Sequence, residues 1–206
     1  MALAKHKPDW AFGYQDETWW SRFAQPALHS WAASDQFLKL MEQTPHKKEP
    51  EPKAIACYGL AVHWYDTPQE EAKHEEVWLR FVEGNPCGNL TIQYLAWLLE
   101  KTQLAKKQVL VLVWDNASWH KSHLVRQWVR THNQKVKHTH EGIRLLPFLL
   151  PTQSPWLNPI EPMWLHAKRK VVEPETKLTA TELVRRVSAV FQHPILPYLT
   201  PSENLP

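Results

Sequence analysis

Three acidic positions in the sequence could bring carboxylates together. Asp115 directly follows the apolar run Val109–Trp114, which is typical of a buried strand. Asp16 and Glu17 end or interrupt an aromatic strand segment, and spacing alone does not choose between them. Glu161 falls in the first turn of a predicted helix. Because functional groups in open α/β sheets gather at the carboxyl ends of strands, we expect these side chains to meet at one edge.

A set of carboxylate oxygens suits Mg²⁺ or Mn²⁺ better than zinc, which prefers nitrogen and sulfur ligands. Three converging carboxylates repel one another unless cations neutralise them. Two divalent ions about 3.5–4 Å apart would do so and would form a site for phosphoryl transfer. Each carboxylate also has a structural alternative. Asp115 could cap the next helix, Glu161 could pair with Asn158 at a helix N-terminus, and Asp16 could be a solvated strand end.

Hydrophobic periodicity predicts the strands that must position these groups. They cover residues 10–16, 18–24, 54–62, 109–114 and 143–150, and the first two are expected to form a hairpin. The charged, proline-rich residues 41–53 read as an exposed loop, and residues 66–76 read as a loop or an exposed helix start.

Four helices are predicted, the first of them over residues 91–104. Ser122 is a good N-cap for the second, and Asn158 is predicted to cap the third. Thr179 and Glu182 form a capping-box pattern at the start of the fourth. The order β-β-β-α-β-α-β-α-α implies an α/β fold, a mixed five-stranded sheet with helices on both faces.

The composition excludes several classes of protein. The chain has 206 residues, of which 43% are hydrophobic and 22% charged, as in an ordinary folded domain. Its longest apolar run is far shorter than the ~20 residues needed to span a membrane, and no signal-peptide pattern is present. Cys57 and Cys87 cannot form a disulfide scaffold or a four-cysteine zinc site. A reducing cytoplasmic location is therefore expected.

The net charge of +3 hides a strong asymmetry along the chain. Residues 101–170 hold 12 lysines and arginines against three acidic residues, a balance of +9, whereas the other residues sum to −6. Such asymmetry suggests a polyanion partner for the basic part. A solvated basic surface is the alternative, and charge alone does not choose between them.

Three segments carry a family resemblance. DETWW at 16–20, LVWDNASWHKS at 112–122 and SPWLNPIEPMW at 154–164 resemble DDE transposases of the mariner-like superfamily, within the bacterial insertion sequence 630 group. The resemblance runs from about Trp10 to Val171, three quarters of the chain. It implies an RNase H-like fold whose catalytic and metal-binding triad is Asp16, Asp115 and Glu161, and so it selects Asp16 over Glu17.

The resemblance also implies a reaction and its cofactors. Two Mg²⁺ ions per active site, replaceable by Mn²⁺, would serve the nicking of transposon ends and their joining to target DNA. Asn116, His120 and Asn158 are the expected supporting residues. Turn formation is an alternative role for Asn116, and packing in the core is an alternative role for His120. The candidate DNA-binding residues are Lys121, Arg126, Lys168, Arg169, Arg185, Trp19 and Trp156. Trp114, Trp128 and Trp164 are expected in the core.

The sequence departs from the family in length and in its N-terminus. Asp115 and Glu161 are separated by 45 residues, a long interval whose excess we assign to residues 131–142. Trp156 stands where relatives commonly have an acidic residue. Residues 1–175 are expected to form the catalytic domain, and residues 176–206 a C-terminal helix and tail packed on it or extending from it. Because the first strand starts by Trp10, a helix-turn-helix domain would belong to a separate polypeptide, or the chain would be a truncated or excised copy.

The expected partner is double-stranded DNA, both transposon ends and target, bound by a homodimer associated with the nucleoid and not with a membrane. Two other functions remain open at this point. One is a catalytically silent DNA-binding or assembly remnant of a transposase. The other is a structure-selective nuclease on the same RNase H-like fold.

Overall fold

A mixed five-stranded sheet forms the centre of the protein. The computed structural model describes residues 6–23, 50–67, 74–152, 154–171 and 177–201. The strands are β1 (Trp10–Ser21), β2 (Ala54–Trp64), β3 (His74–Val82), β4 (Val109–Trp114) and β5 (Arg144–Leu149). Their order is β3-β2-β1-β4-β5. β2 is antiparallel to β1 and β3, and β4 is parallel to β1 and β5. The predicted mixed five-stranded sheet is confirmed.

Helices cover both faces of this sheet. The described residues form α1 (Gly88–Leu104), α2 (His123–Thr139), α3 (Ile160–Val171) and α4 (Ala180–Val190), and a short 3₁₀ helix (Pro155–Leu157) precedes α3. One hydrophobic core packs α1 and α2 on the sheet through residues such as Leu60, Leu95 and Leu112. A second core packs α3 and α4 on the other face through Trp164 and Val187. No helix in these ranges is long and apolar enough to cross a membrane.

The predicted hairpin near Asp16 is wrong. β1 is one 12-residue strand, and it pairs with β2 without a break from Ala11 to Ser21. No turn residues interrupt the segment, and its β-branched and aromatic side chains favour a continuing strand. Asp16 therefore lies inside β1 instead of at its end. The last residue of the predicted second strand, Ala24, lies outside the described residues.

β3 contradicts the predicted loop or helix start over residues 66–76, because its first residues, 74–76, are already strand. Glu75 and Glu76 are exposed at the start of this edge strand, where water can solvate them. The predicted and observed orders of elements agree only by coincidence. The sequence predicts two strands where β1 is one, and it misses β3, so the number of strands is unchanged.

The helix starts were predicted with mixed success. Ser122 caps α2 by accepting a hydrogen bond from the amide of Val125, as predicted. The Thr179 side chain accepts a hydrogen bond from the amide of Glu182, as predicted. The Glu182 carboxylate binds Arg185 and Arg186 instead, so it does not complete a capping box. α1 begins three residues before the predicted start.

Pro147 is tolerated in β5 because β5 is an edge strand. The amides of Arg144 and Leu150 point inward to carbonyls on the β4 side, so the backbone groups of Leu145 and Pro147 point outward. The side chain of Asn133 on α2 makes two hydrogen bonds to Leu145. It accepts one from the Leu145 amide at 3.0 Å and donates one to the Leu145 carbonyl at 2.7 Å. Pro147 has no amide hydrogen to leave unpaired. Helix α2 and a proline thus protect this edge.

A buried arginine joins three parts of the chain. Arg22, only 3% exposed, donates through Nε to the carbonyl of Leu178 at 2.8 Å. Its guanidinium also pairs with the Glu51 carboxylate at 2.7 Å. The same carboxylate accepts the amide of Ala180 at the start of α4. The end of β1, the approach to β2 and the start of α4 therefore depend on one cation.

We expect Arg22→Ala to lower the free energy of unfolding by about 3 kcal/mol, because it leaves Glu51 and the buried carbonyls without their partner. Urea denaturation monitored by circular dichroism measures this change. Arg185→Ala, which removes an arginine exposed on α4, is the matched control and should leave stability nearly unchanged, because its ion pair with Glu182 is screened by solvent. Equal effects of the two substitutions would contradict the structural role of Arg22.

Candidate active site

The three predicted carboxylates line one cleft. In the parallel register of β1 and β4, Tyr14 pairs with Val113, so Asp16 and Asp115 follow two residues later at the same level of the sheet. Glu161 lies in the first turn of α3. All three line a cavity of about 370 Å³, together with Asn116, Asn158 and residues 150–152. The structure therefore brings together the residues that the sequence placed on three separate elements.

Helix α3 is seated against β1 and β2 by a tryptophan and a glycine. The buried indole of Trp164 donates from Nε1 to Oδ2 of Asp16 at 2.9 Å. Its ring lies over Gly59, the residue that pairs with Asp16 across β1 and β2. A Cβ atom at position 59 would collide with this ring. Glu161, one turn earlier on α3, is positioned by the same contact.

Asn158 does not cap α3, which corrects the prediction from sequence. Its side chain donates from Nδ2 to the carbonyl of Gln15 at 3.2 Å and so ties the approach to α3 to β1. The residue is buried, and its Oδ1 atom has no hydrogen-bond partner among the described residues. An acceptor is therefore left over beside the carboxylates.

His120 connects Asp115 to a fourth carboxylate. Its Nδ1 lies 2.9 Å from Oδ1 of Asp115, and its Nε2 lies 2.9 Å from Oε1 of Glu17. The imidazole is fully buried and stacks on Trp114 with ring centroids 4.6 Å apart. Because both partners only accept when they are ionised, the ring donates twice as an imidazolium. Asp115 Oδ1 also accepts the amide of Ala117 at 2.8 Å, so its orientation is fixed twice.

Glu17 is the functional residue that the sequence reasoning set aside. Neighbouring residues of a strand point to opposite faces, so Asp16 faces α3 while Glu17 faces His120. The side chain of Glu17 is only 3% exposed, and its Oε1 also accepts from Gln15 at 2.8 Å. The signal available in the sequence was strand alternation: adjacent acids inside one strand point to opposite faces of the sheet, so only one of them can line the cleft directly.

The electrostatics of the cleft are unbalanced. Burial, with repulsion from Glu161 and Glu17, raises the pKa of Asp16 to about 7. The hydrogen bond from His120 holds the pKa of Asp115 below its usual range. Burial opposes the charging of His120, but the hydrogen bonds and the attraction of Asp115 and Glu17 outweigh it and raise its pKa to about 9. One imidazolium thus faces four carboxylates, and the remaining charge favours a cation.

The side chains of the cleft have the right donor atoms for a divalent cation, but these atoms are not close enough together to hold one. All the cleft donors are oxygens, which Mg²⁺ and Mn²⁺ prefer. In the described ranges, no three His, Cys, Asp or Glu side chains have their donor atoms arranged to hold an ion. Asp16, Asp115 and Glu161 are the residues that could close on a metal.

None of the predicted DNA-binding residues, which all lie within the described ranges, lines the cleft, and they differ in their exposure. Trp156, 77% exposed, sits in the 3₁₀ helix between the cleft residues Ser154 and Asn158. Trp19 is 42% exposed on β1. The side chains of Lys121, Arg126, Lys168 and Arg169 are exposed. Arg185 is exposed but held by Glu182 at 2.7 Å.

Two of the three tryptophans expected in the core are fully buried. Trp114 and Trp164 are each 3% exposed. Trp128 is half-buried and stacks on His132.

Asn116 donates a hydrogen bond to the carbonyl of Leu150 at 2.6 Å and so ties the segment after β4 to the end of β5.

The charge of His120 should appear in the pH dependence of stability. Its folded pKa of about 9 exceeds its ordinary value of 6.5, so the stabilisation is complete below pH 6.5 and is lost as the pH rises through 9. With metal chelated, we expect the free energy of unfolding to fall between pH 7 and 8.5 by up to about 1.4 kcal/mol per unit. The raised pKa of Asp16 acts in the same direction, because its protonated form favours folding and this contribution is lost as the pH rises through about 7, at the lower edge of the interval.

His120→Asn is the matched variant, since asparagine keeps polar atoms but does not titrate. We expect its unfolding free energy to be flatter over the same pH interval, as measured by urea denaturation at each pH. Parallel curves for the two proteins would contradict a protonated His120.

Solved structures of Mos1 transposase have a similar fold. The Mos1 paired-end complex with left transposon end aligns with a TM-score of 0.61 at 15% identity, covering 88% of this chain and 47% of that chain. The Mos1 mariner paired-end complex with Mn gives 0.56 at 13%, covering 91% and 48%. The Mos1 strand transfer complex gives 0.55 at 14%, covering 89% and 47%. The chain spans about half the length of these proteins, and the predicted RNase H-like fold is confirmed.

No curated protein sequence matches this chain. A family profile described as DDE superfamily endonuclease matches residues 71–183, more than half of the chain. The matched range contains Asp115 and Glu161, which line one cleft with Asp16, and His120, which contacts Asp115. The chain belongs to the DDE superfamily of endonucleases.

Proposed function

We propose that this chain is the catalytic domain of a DNA transposase of the mariner-like superfamily, within the bacterial insertion sequence 630 group. Its reaction is the cleavage of transposon ends and the transfer of the freed 3′ end into target DNA. The observation that carries the proposal is the single cleft lined by Asp16, Asp115 and Glu161. Membership of the DDE superfamily supports the chemistry, and the fold similarity to Mos1 transposase supports the architecture.

The three carboxylates are the proposed ligands of two Mg²⁺ ions, for which Mn²⁺ substitutes. The raised pKa of Asp16 is consistent with this assignment, since burial and then repulsion from Glu161 and Glu17 disfavour its charged form and a bound cation would relieve that repulsion. The partnerless Oδ1 of Asn158 adds an acceptor to the same cleft. One of the similar Mos1 structures is a complex with Mn. Bound divalent cations stabilise the charge on the attacking and leaving oxygens of an in-line phosphoryl transfer.

Glu17 and His120 are positioning residues in this proposal. Oδ1 of Asp115 is held by His120 and by the amide of Ala117, so the other oxygen is the one directed to a metal. Trp164 plays the equivalent part for Asp16. Asn116 fixes the segment that follows Asp115 by binding the carbonyl of Leu150. Each ligand is thus oriented by a buried neighbour before any metal binds.

Double-stranded DNA is the proposed partner, both as transposon end and as target. Lys121, Arg126, Lys168 and Arg169 are exposed cations suited to backbone phosphates. Arg185 is a weaker candidate, because Glu182 already binds its guanidinium in a bidentate manner. Trp156 and Trp19 present exposed aromatic surface on which an unpaired base could stack.

We further propose that residues 1–175 act as the catalytic domain and residues 176–206 as a C-terminal segment packed on it. The proposed assembly on DNA is a homodimer, with recognition of the transposon ends by a separate helix-turn-helix polypeptide. The proposed location is the cytoplasm, in association with the nucleoid. The similar Mos1 structures include paired-end and strand transfer complexes, which is the observation that favours this assembly.

We expect Asp115→Asn and Glu161→Gln each to reduce Mg²⁺-dependent nicking of duplex DNA at least a hundredfold, because each removes one ligand charge from the cleft. Nicking of a labelled duplex, resolved on a denaturing gel, measures the rate. Glu83→Gln, which neutralises an exposed glutamate remote from the cleft, is the matched control and should retain full activity. Nicking by Asp115→Asn at the rate of the unmodified protein would contradict the proposal.

The same assay separates the two other candidate functions. A structure-selective nuclease would stop at cleaved ends, whereas a transposase would join the 3′ end to a second duplex. A silent remnant would bind DNA but show neither nicking nor a stoichiometric heat of Mn²⁺ binding at neutral pH.

A further inference from the structure

A basic groove lies between the C-terminal half of α2 and the start of β5. This α2 groove has a volume of about 540 Å³ and is lined by Arg130, Lys137, His140 and Arg144. Asn133 also lines it and fixes its two sides to each other, because its amide binds both backbone groups of Leu145. Part of the groove is built from residues 131–142, the stretch to which we assign the extra length between Asp115 and Glu161.

The cations of the groove have no partners in the described part of the chain. The exposed side chains of Arg130, Lys137 and Arg144 form no ion pair or hydrogen bond there. The basic side chains that support the fold behave differently. Buried Lys107, for example, binds the Asp66 carboxylate at 2.6 Å and the carbonyls of Pro8 and Tyr65. A cation that serves the fold is neutralised, and those of the groove are available to a ligand.

Acidic residues are few in the stretch of chain that forms the groove. Among residues 101–170 the acids are Asp115 and Glu161, which line the catalytic cleft, and the exposed Glu141 beside His140. The two arginines and one lysine of the groove therefore outnumber the one acid of this stretch that lies outside the cleft. Positive charge concentrated in a concave surface attracts an extended polyanion more strongly than the same charge dispersed over a convex one.

The groove continues a line of cations that starts near the cleft. Arg126, Arg130, Asn133 and Lys137 follow one another at spacings of four, three and four residues, which places them on one face of α2. Lys121 precedes the helix, six residues after Asp115. At about 1.5 Å per residue, the 17-residue helix is about 25 Å long. This length equals the rise of about seven base pairs of duplex DNA.

We propose that the α2 groove is a second nucleic-acid site, which binds the phosphate backbone of duplex DNA flanking the strand in the catalytic cleft. The identity of the polyanion rests on the proposed function, whereas the charge and shape of the groove do not. Arg130, Lys137 and Arg144 contact phosphates, and α2 sets the distance between the two sites. Along α2, Arg130 lies about 11 Å and Lys137 about 21 Å from the first residue of the helix, so a duplex reaches the groove about three to six base pairs beyond the start of α2.

The test compares a groove variant with a charge-matched control. Arg130→Gln, Lys137→Gln and Arg144→Gln are combined in one variant, and Lys7→Gln, Lys53→Gln and Lys101→Gln in the other. Binding of a fluorescent 30-base-pair duplex is measured by anisotropy from 50 to 250 mM NaCl, with folding checked by circular dichroism. We expect the groove variant to bind at least tenfold more weakly at 150 mM salt. Its slope of log affinity against log salt should fall by about 2 to 3, as three lost phosphate contacts predict.

A further arm makes the outcome specific. Anionic vesicles of phosphatidylglycerol and a polyglutamate peptide should show no preference for the unmodified groove over the groove variant.

The failure of this inference and that of the proposed function are distinguishable. Equal affinities and salt slopes for the groove variant and its control would overturn the groove site, while Mg²⁺-dependent nicking would still support the transposase. Groove-dependent binding of vesicles or polyglutamate, but not of duplex, would overturn nucleic acid as the ligand. If the unmodified protein does not nick DNA but still binds duplex through the groove, the catalytic proposal is overturned and the groove site stands.

Discussion

Mutual repulsion of carboxylates is the constraint on which the rest of this structure depends. Asp16, Asp115 and Glu161 come from β1, the end of β4 and the start of α3, and they line one small cleft. The fold holds them there through neighbours that are themselves buried, the indole of Trp164 and the imidazole of His120. Burial, together with repulsion from Glu161 and Glu17, raises the pKa of Asp16.

The two faces of the sheet share this task. On one face Gly59 lets Trp164 approach β1 and β2 closely, and α3 follows with Glu161. On the other face Glu17 and His120 form a buried ion pair that reaches Asp115 at the edge of the cleft. Because side chains alternate along a strand, β1 can support one site from both faces of the sheet. Asp16 lines the cleft, and Glu17 holds His120 on the opposite face. Basic residues divide similarly, some neutralised inside the fold and others left exposed along α2.

How much could be predicted from sequence depended on whether the deciding contact was local. β4, the Ser122 cap of α2 and the position of Asp115 were predictable, because an apolar run and a cap act within a few residues. The continuation of β1 past Asp16 was not, since its pairing with distant β2 decides it. The part played by Glu17 was hidden for the same reason, because His120 lies 103 residues away. Asn158 resembles a helix cap but turns to β1 instead.

The central claim is that Asp16, Asp115 and Glu161 together form a site for divalent cations. Anomalous diffraction at the manganese edge from crystals soaked in Mn²⁺ tests it most directly. The account predicts an anomalous peak within about 2.3 Å of carboxylate oxygens of Asp16 and Asp115, in a structure where His120 keeps its contacts with Asp115 and Glu17. The absence of any peak in the cleft at millimolar Mn²⁺, with the carboxylates well ordered, would contradict it.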